Sequence, residues 1–371
     1  MRLLICLLLV VGMVASASCV LADSPVAVKN VVVYREAGRY AGWPANNGIW
    51  CWGNEIVVGF HLGYHKDRQG KHPIDPDAPQ VHRLARSLDG GETWTLEVPS
   101  YLDSAGKERT PQPLPAGLNF TQPDFALMLR MEDSDKGFSH FYWSSDRAHT
   151  WNGPFGLPKF DRPGIMARTD VIVDGPHEAM AFLTSAKDGG SEGWPFATRT
   201  TDGGKTWTFL SWIGEQPGPG AYSIMPSTVR LSPTELLTYI RCRTRAEGNK
   251  KLFKIEPYRS LDNGQTWKLE SANSIDNGGN PPHMIRLRDG RLALTYGSRN
   301  VPYGIRARLS SDGGKSWTSD FLLRDDAGTW DLGYPRTVQR LDGKIVTVYY
   351  FNDRQQDLRY IAGTIWDPVE K

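Results

Sequence analysis

The octet SLDGGETW at residues 87–94 returns as SSDRAHTW at 144–151, TTDGGKTW at 200–207, SLDNGQTW at 260–267 and SSDGGKSW at 310–317, five copies about 50–60 residues apart. A period of that length restricts the chain to architectures in which each repeat is one small unit that buries its apolar face against its neighbours. Each residue type suits a tight hairpin. The Asp accepts hydrogen bonds from backbone amides, the Gly supplies a positive φ, the hydroxyl residue closes the loop and the Trp buries a large face against adjoining strands. In the second copy Ala148 stands where Gly is expected. The recurring Asp is therefore read as a turn residue rather than a catalytic one.

A second repeat is interleaved with the first. MPSTVRLSPTELLTYIR (225–241), NPPHMIRLRDGRLALTYGSR (280–299) and YPRTVQRLDGKIVTVYY (334–350) each read as strand, tight turn and second strand. WPANNGIWCWGNEIVVGFHLGY (43–64), QPDFALMLR (122–130) and RTDVIVDGPHEAMAFLTS (168–185) follow the pattern more loosely. Two strands, a connection, a third strand, the Asp turn and a fourth strand make one blade of a β-propeller. The expectation is an all-β, six-bladed propeller of four-stranded antiparallel blades. The sixth unit lacks the octet, and NVVVYRE at 30–36 is expected to pair with LRYIAGTIW at 358–366, closing the ring and removing an exposed edge.

Composition agrees with this architecture and excludes others. The 371 residues include 13 Trp, 38 Gly and 25 Pro, which favours short strands and tight turns. A net charge of +2 without a concentrated basic face excludes a nucleic-acid partner. Residues 1–22 read as a secretory leader cut near Ala22, leaving residues 23–371 as one propeller domain in a secreted or periplasmic protein. Lipid anchoring at Cys19 is the weaker alternative, because Ser16 is a poor residue for that processing. No other stretch is long and apolar enough to span a membrane. After the leader only Cys51 and Cys242 remain, too few for a disulfide framework or a cysteine metal site. They are expected as buried free thiols in blades on opposite sides of the ring, with no metal, no cofactor and a monomeric state.

Five Asp boxes at blade spacing in an exported chain resemble the sialidase superfamily across residues 30–366. The resemblance implies a glycan or glycoconjugate substrate and a site built from a tyrosine nucleophile, a glutamate that activates it, an aspartate acid/base and three arginines that grip a carboxylate. The chemistry explains the types. An anomeric carbon bearing a carboxylate is attacked with less repulsion by a phenol than by another carboxylate, and arginine forks hold carboxylates. By position in the repeat, Tyr334 corresponds to the nucleophile, Arg241 to the second arginine and Arg299 to the third, with Arg306 competing for that last place. Asp75, with Asp77 beside it, is the candidate acid/base. Two positions depart from the pattern: Gly42-Trp43-Pro44 replaces the triplet that supplies the first arginine, leaving Arg39 nearby but out of register, and Met225-Pro226 stands where the activating glutamate belongs.

The first blade offers a different chemistry. His61, His65, His72 and His82, half of the chain's eight histidines, fall in one strand end and its loop. Histidine moves protons near neutral pH, so His65 and His82 are candidate catalytic groups in an elimination beside a uronic-acid carboxylate. Arg168, Asp170, Asp124 and His283 lie near the starts of inner strands and are candidate rim contacts, the first two and His283 as substrate-binding residues. The leading expectation is a secreted glycoside hydrolase acting on an acidic glycan. The alternatives are a propeller lyase using histidine and tyrosine, and a non-catalytic glycan-binding propeller.

Overall fold

The computed structural model describes residues 28–368 apart from 103–106, 108, 134, 247, 249 and 354–357. The leader and Cys19 lie outside the described residues. Strand β1 (Val28–Tyr34) is followed by blade 1, formed by β2 (Arg39–Gly42), β3 (Gly48–Trp52), β4 (Glu55–Tyr64), β5 (Val81–Ser87) and β6 (Thr95–Glu97). Blade 2 is β7 (Ala126–Met131), β8 (Ser139–Ser144) and β9 (Asn152–Gly156). Blade 3 comprises β10 (Ile165–Met166), β11 (Val171–Val173), β12 (Ala179–Ala186), β13 (Glu192–Thr200) and β14 (Thr208–Trp212). Blade 4 runs from β15 (Tyr222–Arg230) through β16 (Leu236–Arg245) and β17 (Lys251–Ser260) to β18 (Lys268–Leu269). Blade 5 is β19 (Pro282–Arg286), β20 (Leu292–Ser298), β21 (Gly304–Ser310) and β22 (Phe321–Arg324). Blade 6 has β23 (Gly333–Gln339), β24 (Ile345–Phe351) and β25 (Tyr360–Trp366), with β1 as its outer strand.

The expected closure is present. β1 pairs antiparallel with β25 from Val28 opposite Trp366 to Tyr34 opposite Ile361, so the two chain ends complete one blade. The core is built blade against blade: β4, β24 and β25 side chains such as Phe60, Tyr350 and Ile361 share one buried cluster, and equivalent clusters fill the other interfaces. Cys51 in β3 and Cys242 in β16 are both free, the first half-buried and the second buried.

Each octet is the turn between the third and fourth strands of its blade. Asp89 accepts from Ser87 Oγ at 2.8 Å, Thr93 N at 2.9 Å, Thr93 Oγ1 at 2.6 Å and Glu92 N at 3.0 Å. Asp262 and Asp312 repeat the pattern with Thr266 and Ser316. Ala148 adopts φ 66°, the left-handed backbone its glycine counterparts use.

Blade 2 is thinner than the rest. β7 occupies the second-strand place, and its inner edge is satisfied by side chains from the flanking blades. Trp50 Nε1 donates to Leu127 O at 3.3 Å, and Leu129 N donates to Thr169 Oγ1 at 3.1 Å. A cavity of about 1520 Å³ opens along this side of the ring, with Asn46, His61, His82 and Arg130 on one part of its wall and Phe138 and Trp207 on another.

Candidate functional site

Alternation of strand direction places the starts of the inner strands and the connections between second and third strands on one face, and the Asp boxes on the other. On the first face three inner strands share a local distortion. Trp43, Met225 and Tyr334 have φ of 58°, 56° and 52°, and each directly precedes a proline. A left-handed backbone costs a non-glycine residue about 1–3 kcal/mol and persists where surrounding structure enforces it. Register shifts at 224/227 and 333/336, and the break between β2 and β3, mark the same places in the pairing. The bulges bring Trp43, Met225 and Tyr334 into one cluster with Tyr350 and Tyr222.

Tyr334 is the centre of that cluster. Its backbone N–H donates to Asn280 Oδ1 at 2.9 Å, and Asn280 Nδ2 donates to Leu332 O at 2.6 Å, so blade 5 fixes the bulge of blade 6. Arg241 Nη1 donates to the Tyr334 hydroxyl at 2.8 Å. The Arg299 guanidinium lies 5.7 Å from the Tyr334 ring centroid, and its Nη2 donates to the Tyr350 hydroxyl at 3.0 Å. Burial opposes ionisation of Tyr334, but Arg241, Arg299 and Arg168 outweigh it and hold the phenol below its ordinary value of 10. The Nε–H groups of Arg241 and Arg299 are buried and find no acceptor among the described residues.

Arg168 grips Glu192 through both oxygens, at 2.5 and 3.1 Å, and its Nε donates to Asn46 Oδ1 at 3.1 Å. Met225 contributes only its sulfur, 3.9 Å from Arg241 Nη1. Among the described residues no carboxylate hydrogen-bonds the Tyr334 hydroxyl at the place where the sialidase pattern has its activating glutamate; Arg241 contacts the phenol instead. Asp170 lies deeper, accepting from Thr228 N at 3.2 Å and Thr228 Oγ1 at 3.0 Å. Burial pushes its carboxyl up to about 7 despite Arg336. His283 Nδ1 accepts from Thr337 N at 3.0 Å, and burial pushes its imidazole well below its ordinary range. Asp170 and His283 thus brace blades 3, 4, 5 and 6 around the axis.

The first-blade residues separate in space. Asp75 is held by Lys66 at 3.0 Å, with Asp77 on the same ammonium. Arg39 stacks on Tyr64, 4.1 Å from the ring centroid. His65 bridges to Ile74 within its own hairpin. His61 and His82 meet edge to face at 4.4 Å, and His82 contacts Arg130 in the blade 2 cavity. Burial and Arg130 push His82 well below its ordinary range. Arg306 lies 3.9 Å from Asp320, and Asp124 takes Arg147 at 2.7 Å.

One histidine of the loop does reach the centre. His72 Nδ1 lies 2.5 Å from Asp331 Oδ1, and the ring packs 5.4 Å from Trp43 and 5.5 Å from Trp330. Asp331 also accepts from the Tyr350 hydroxyl at 2.6 Å and Arg359 Nε at 2.8 Å. Burial alone would raise its carboxyl; His72, Arg359 and Tyr350 together keep it below the usual carboxylate value. Sequence reasoning did not single out Asp331, Glu192 or Asn280. The recurrent X-Pro step at 43–44, 225–226 and 334–335 was the available signal for where they converge.

A family model described as a BNR repeat-like domain matches residues 83–347. The chain belongs to the BNR repeat-like family. No curated protein matches it in sequence. Among solved structures, this BNR repeat-like chain is similar to a Dyadobacter fermentans protein of unknown function, 21% identical with a TM-score of 0.67, covering 92% of this chain and 99% of that one. A Penicillium chrysogenum α-L-arabinanase complexed with arabinobiose aligns at 12% identity and a TM-score of 0.62, over 94% and 98% of the two chains. A mutant of Trypanosoma rangeli sialidase displaying trans-sialidase activity aligns at 11% identity and 0.60, over 93% and 60%. At these identities the likeness is one of fold: the BNR repeats here build the sialidase-like propeller that glycosidases also use.

Proposed function

We propose that this chain is a secreted glycoside hydrolase acting on an acidic sugar, with Tyr334 as its nucleophile and Arg241 and Arg299 as the clamp on the sugar carboxylate. The observation that supports this most is the Tyr334–Arg241 contact at 2.8 Å, with Arg299 over the same ring and no carboxylate on the phenol among the described residues. Around it Arg168, Arg241 and Arg299 gather with Glu192, which Arg168 neutralises, while Asp331 beyond Tyr350 is paired with Arg359 and His72. An excess of buried positive charge suits an anionic ligand. The unpaired Nε–H groups of Arg241 and Arg299 would be satisfied by its oxygens. Arginine would lower the cost of forming a phenolate, which the glutamate does in the family pattern.

The cavity along blade 2 shares Asn46 with the Arg168 shell and His61 with Trp43, so it leads away from the centre and would accommodate further sugar units. Elimination is the second reading, because a phenol held below its ordinary range is also a competent base. The experiment is incubation with sialylated and uronic-acid glycans, reading both reducing ends and absorbance of unsaturated uronates. Hydrolysis gives the first without the second. Unsaturated product would establish elimination instead, and binding with neither product would mean a glycan-binding propeller.

A further inference from the structure

A nucleophile alone leaves the reaction incomplete, since the departing sugar oxygen needs a proton. Among the described residues the two carboxylates around this cluster are already committed. Glu192 gives both oxygens to Arg168, and Asp331 spends its oxygens on His72, Tyr350 and Arg359. Asp75, the aspartate of the first-blade loop, is turned to Lys66.

His72 has the remaining geometry. Its partner Asp331 is 1% exposed and anchored from three directions, so the carboxylate cannot rotate away. An ionised Asp331 accepting from Nδ1–H fixes the ring and leaves Nε2 as the nitrogen turned to other partners. The side chain is one-third exposed between the edges of Trp43 and Trp330. Arg299 stacks on Trp330, 5.1 Å from its ring centroid, and the same guanidinium faces Tyr334. His72 and Tyr334 are thus linked through two chains of contacts, Trp330 and Arg299 on one side and Trp43 and Tyr350 on the other.

We propose that His72 is the proton-transfer residue of this site and Asp331 its positioning residue, an assignment that rests on the hydrolase reading above. In the first step the Tyr334 oxygen bonds to the anomeric carbon and the glycosidic C–O bond breaks. The electron pair goes to the leaving oxygen, which takes the proton from His72 Nε2. In the second step neutral Nε2 takes a proton from water, the hydroxide oxygen bonds to the anomeric carbon and the Tyr334 C–O bond breaks, restoring the phenolate. Atoms and charge return to their starting state.

The test uses His72→Asn, whose side-chain amide can keep the hydrogen bond to Asp331 while removing Nε2. Two substrates with the same acidic sugar are compared, one with a sugar leaving group and one with nitrophenolate, which departs without a proton. The expected result is a roughly 10²- to 10⁴-fold loss of kcat/KM, which reports the first step alone, on the sugar linkage and a loss of kcat/KM below about tenfold on the nitrophenyl glycoside. Equal losses on both, or no loss on the sugar linkage, would overturn the assignment; Asp331→Asn should reproduce the leaving-group dependence in milder form. A wild-type protein that hydrolyses neither substrate would overturn the hydrolase reading itself, and this assignment with it.

Discussion

Replacing Arg241 by glutamine keeps an N–H donor near Tyr334 and removes the charge. The 2.8 Å hydrogen bond from Nη1 plus a C–N bond of about 1.3 Å puts the guanidinium centre roughly 4 Å from the phenolate oxygen. At an effective dielectric near 20, two unit charges at that distance interact by about 4 kcal/mol. Arg299 and Arg168 remain, so part of the phenolate stabilisation survives, but a loss of that order is roughly a thousandfold in rate near neutral pH. The sign is fixed: Arg241 lowers the phenol, so its removal moves the alkaline-going rise of kcat to higher pH. The assay is kcat against pH on a nitrophenyl glycoside of the acidic sugar, saturated with substrate to separate chemistry from lost carboxylate binding. A variant with kcat within threefold of wild type and an unmoved rise would refute activation of Tyr334 by arginine.

Tyr334→Phe should abolish turnover, and it also tests ionisation through stability. A phenol lowered in the folded state contributes stability fully above its unfolded value of 10 and loses it as pH falls through the lowered value; the urea stability of wild type minus variant should therefore grow from pH 7 to 10, and a flat difference would contradict the arginine effect. Asp89→Ala removes acceptors used by Ser87, Glu92 and Thr93 on the face away from Tyr334, so it should cost about 1–3 kcal/mol in denaturant titration while leaving kcat unchanged. Partial burial opposes ionisation of Asp89, but those bonds outweigh it and hold the carboxyl at about 2; the bonds on Asp262 and Asp312 likewise outweigh burial and give about 2. Wild-type stability should thus fall from about pH 4 toward pH 2, and a melting temperature constant over that range would count against the box geometry. Removing residues 23–34 takes β1 from β25, loses the packing of Val31 and Val33 worth about 3–5 kcal/mol and bares a sheet edge; calorimetry should show a lower Tm with aggregation, and an unchanged Tm would argue against ring closure by β1.

The octets and the interleaved hairpins carry the fold because each is local. Ser87, Asp89, Thr93 and Trp94 meet within one turn, and five such turns set the number and register of blades before any distant contact is considered. Register then placed Tyr334, Arg241 and Arg299 at corresponding positions on one face, and the structure brings these three together. It also made the substitution at Met225 legible, since a position within the repeat is a position around the ring. Asp75 and the histidine-rich loop were not resolvable in this way. A long connection between second and third strands has no internal period, so spacing gave no ground for choosing His72 over His65 or Asp75.

What the sequence by itself determined is everything written at a separation of a few residues: the turn chemistry, the strand alternation and the blade count, whereas the left-handed backbones before Pro44, Pro226 and Pro335 are enforced by neighbouring blades. What only the tertiary structure decided is pairing across the ring. His72 meets Asp331 across 259 residues, Arg241 meets Tyr334 across 93 and Arg168 meets Asn46 across 122. Closure of six blades brings the starts of their inner strands to one axis, and the side chains there are selected by charge and reach rather than by any pattern along the chain.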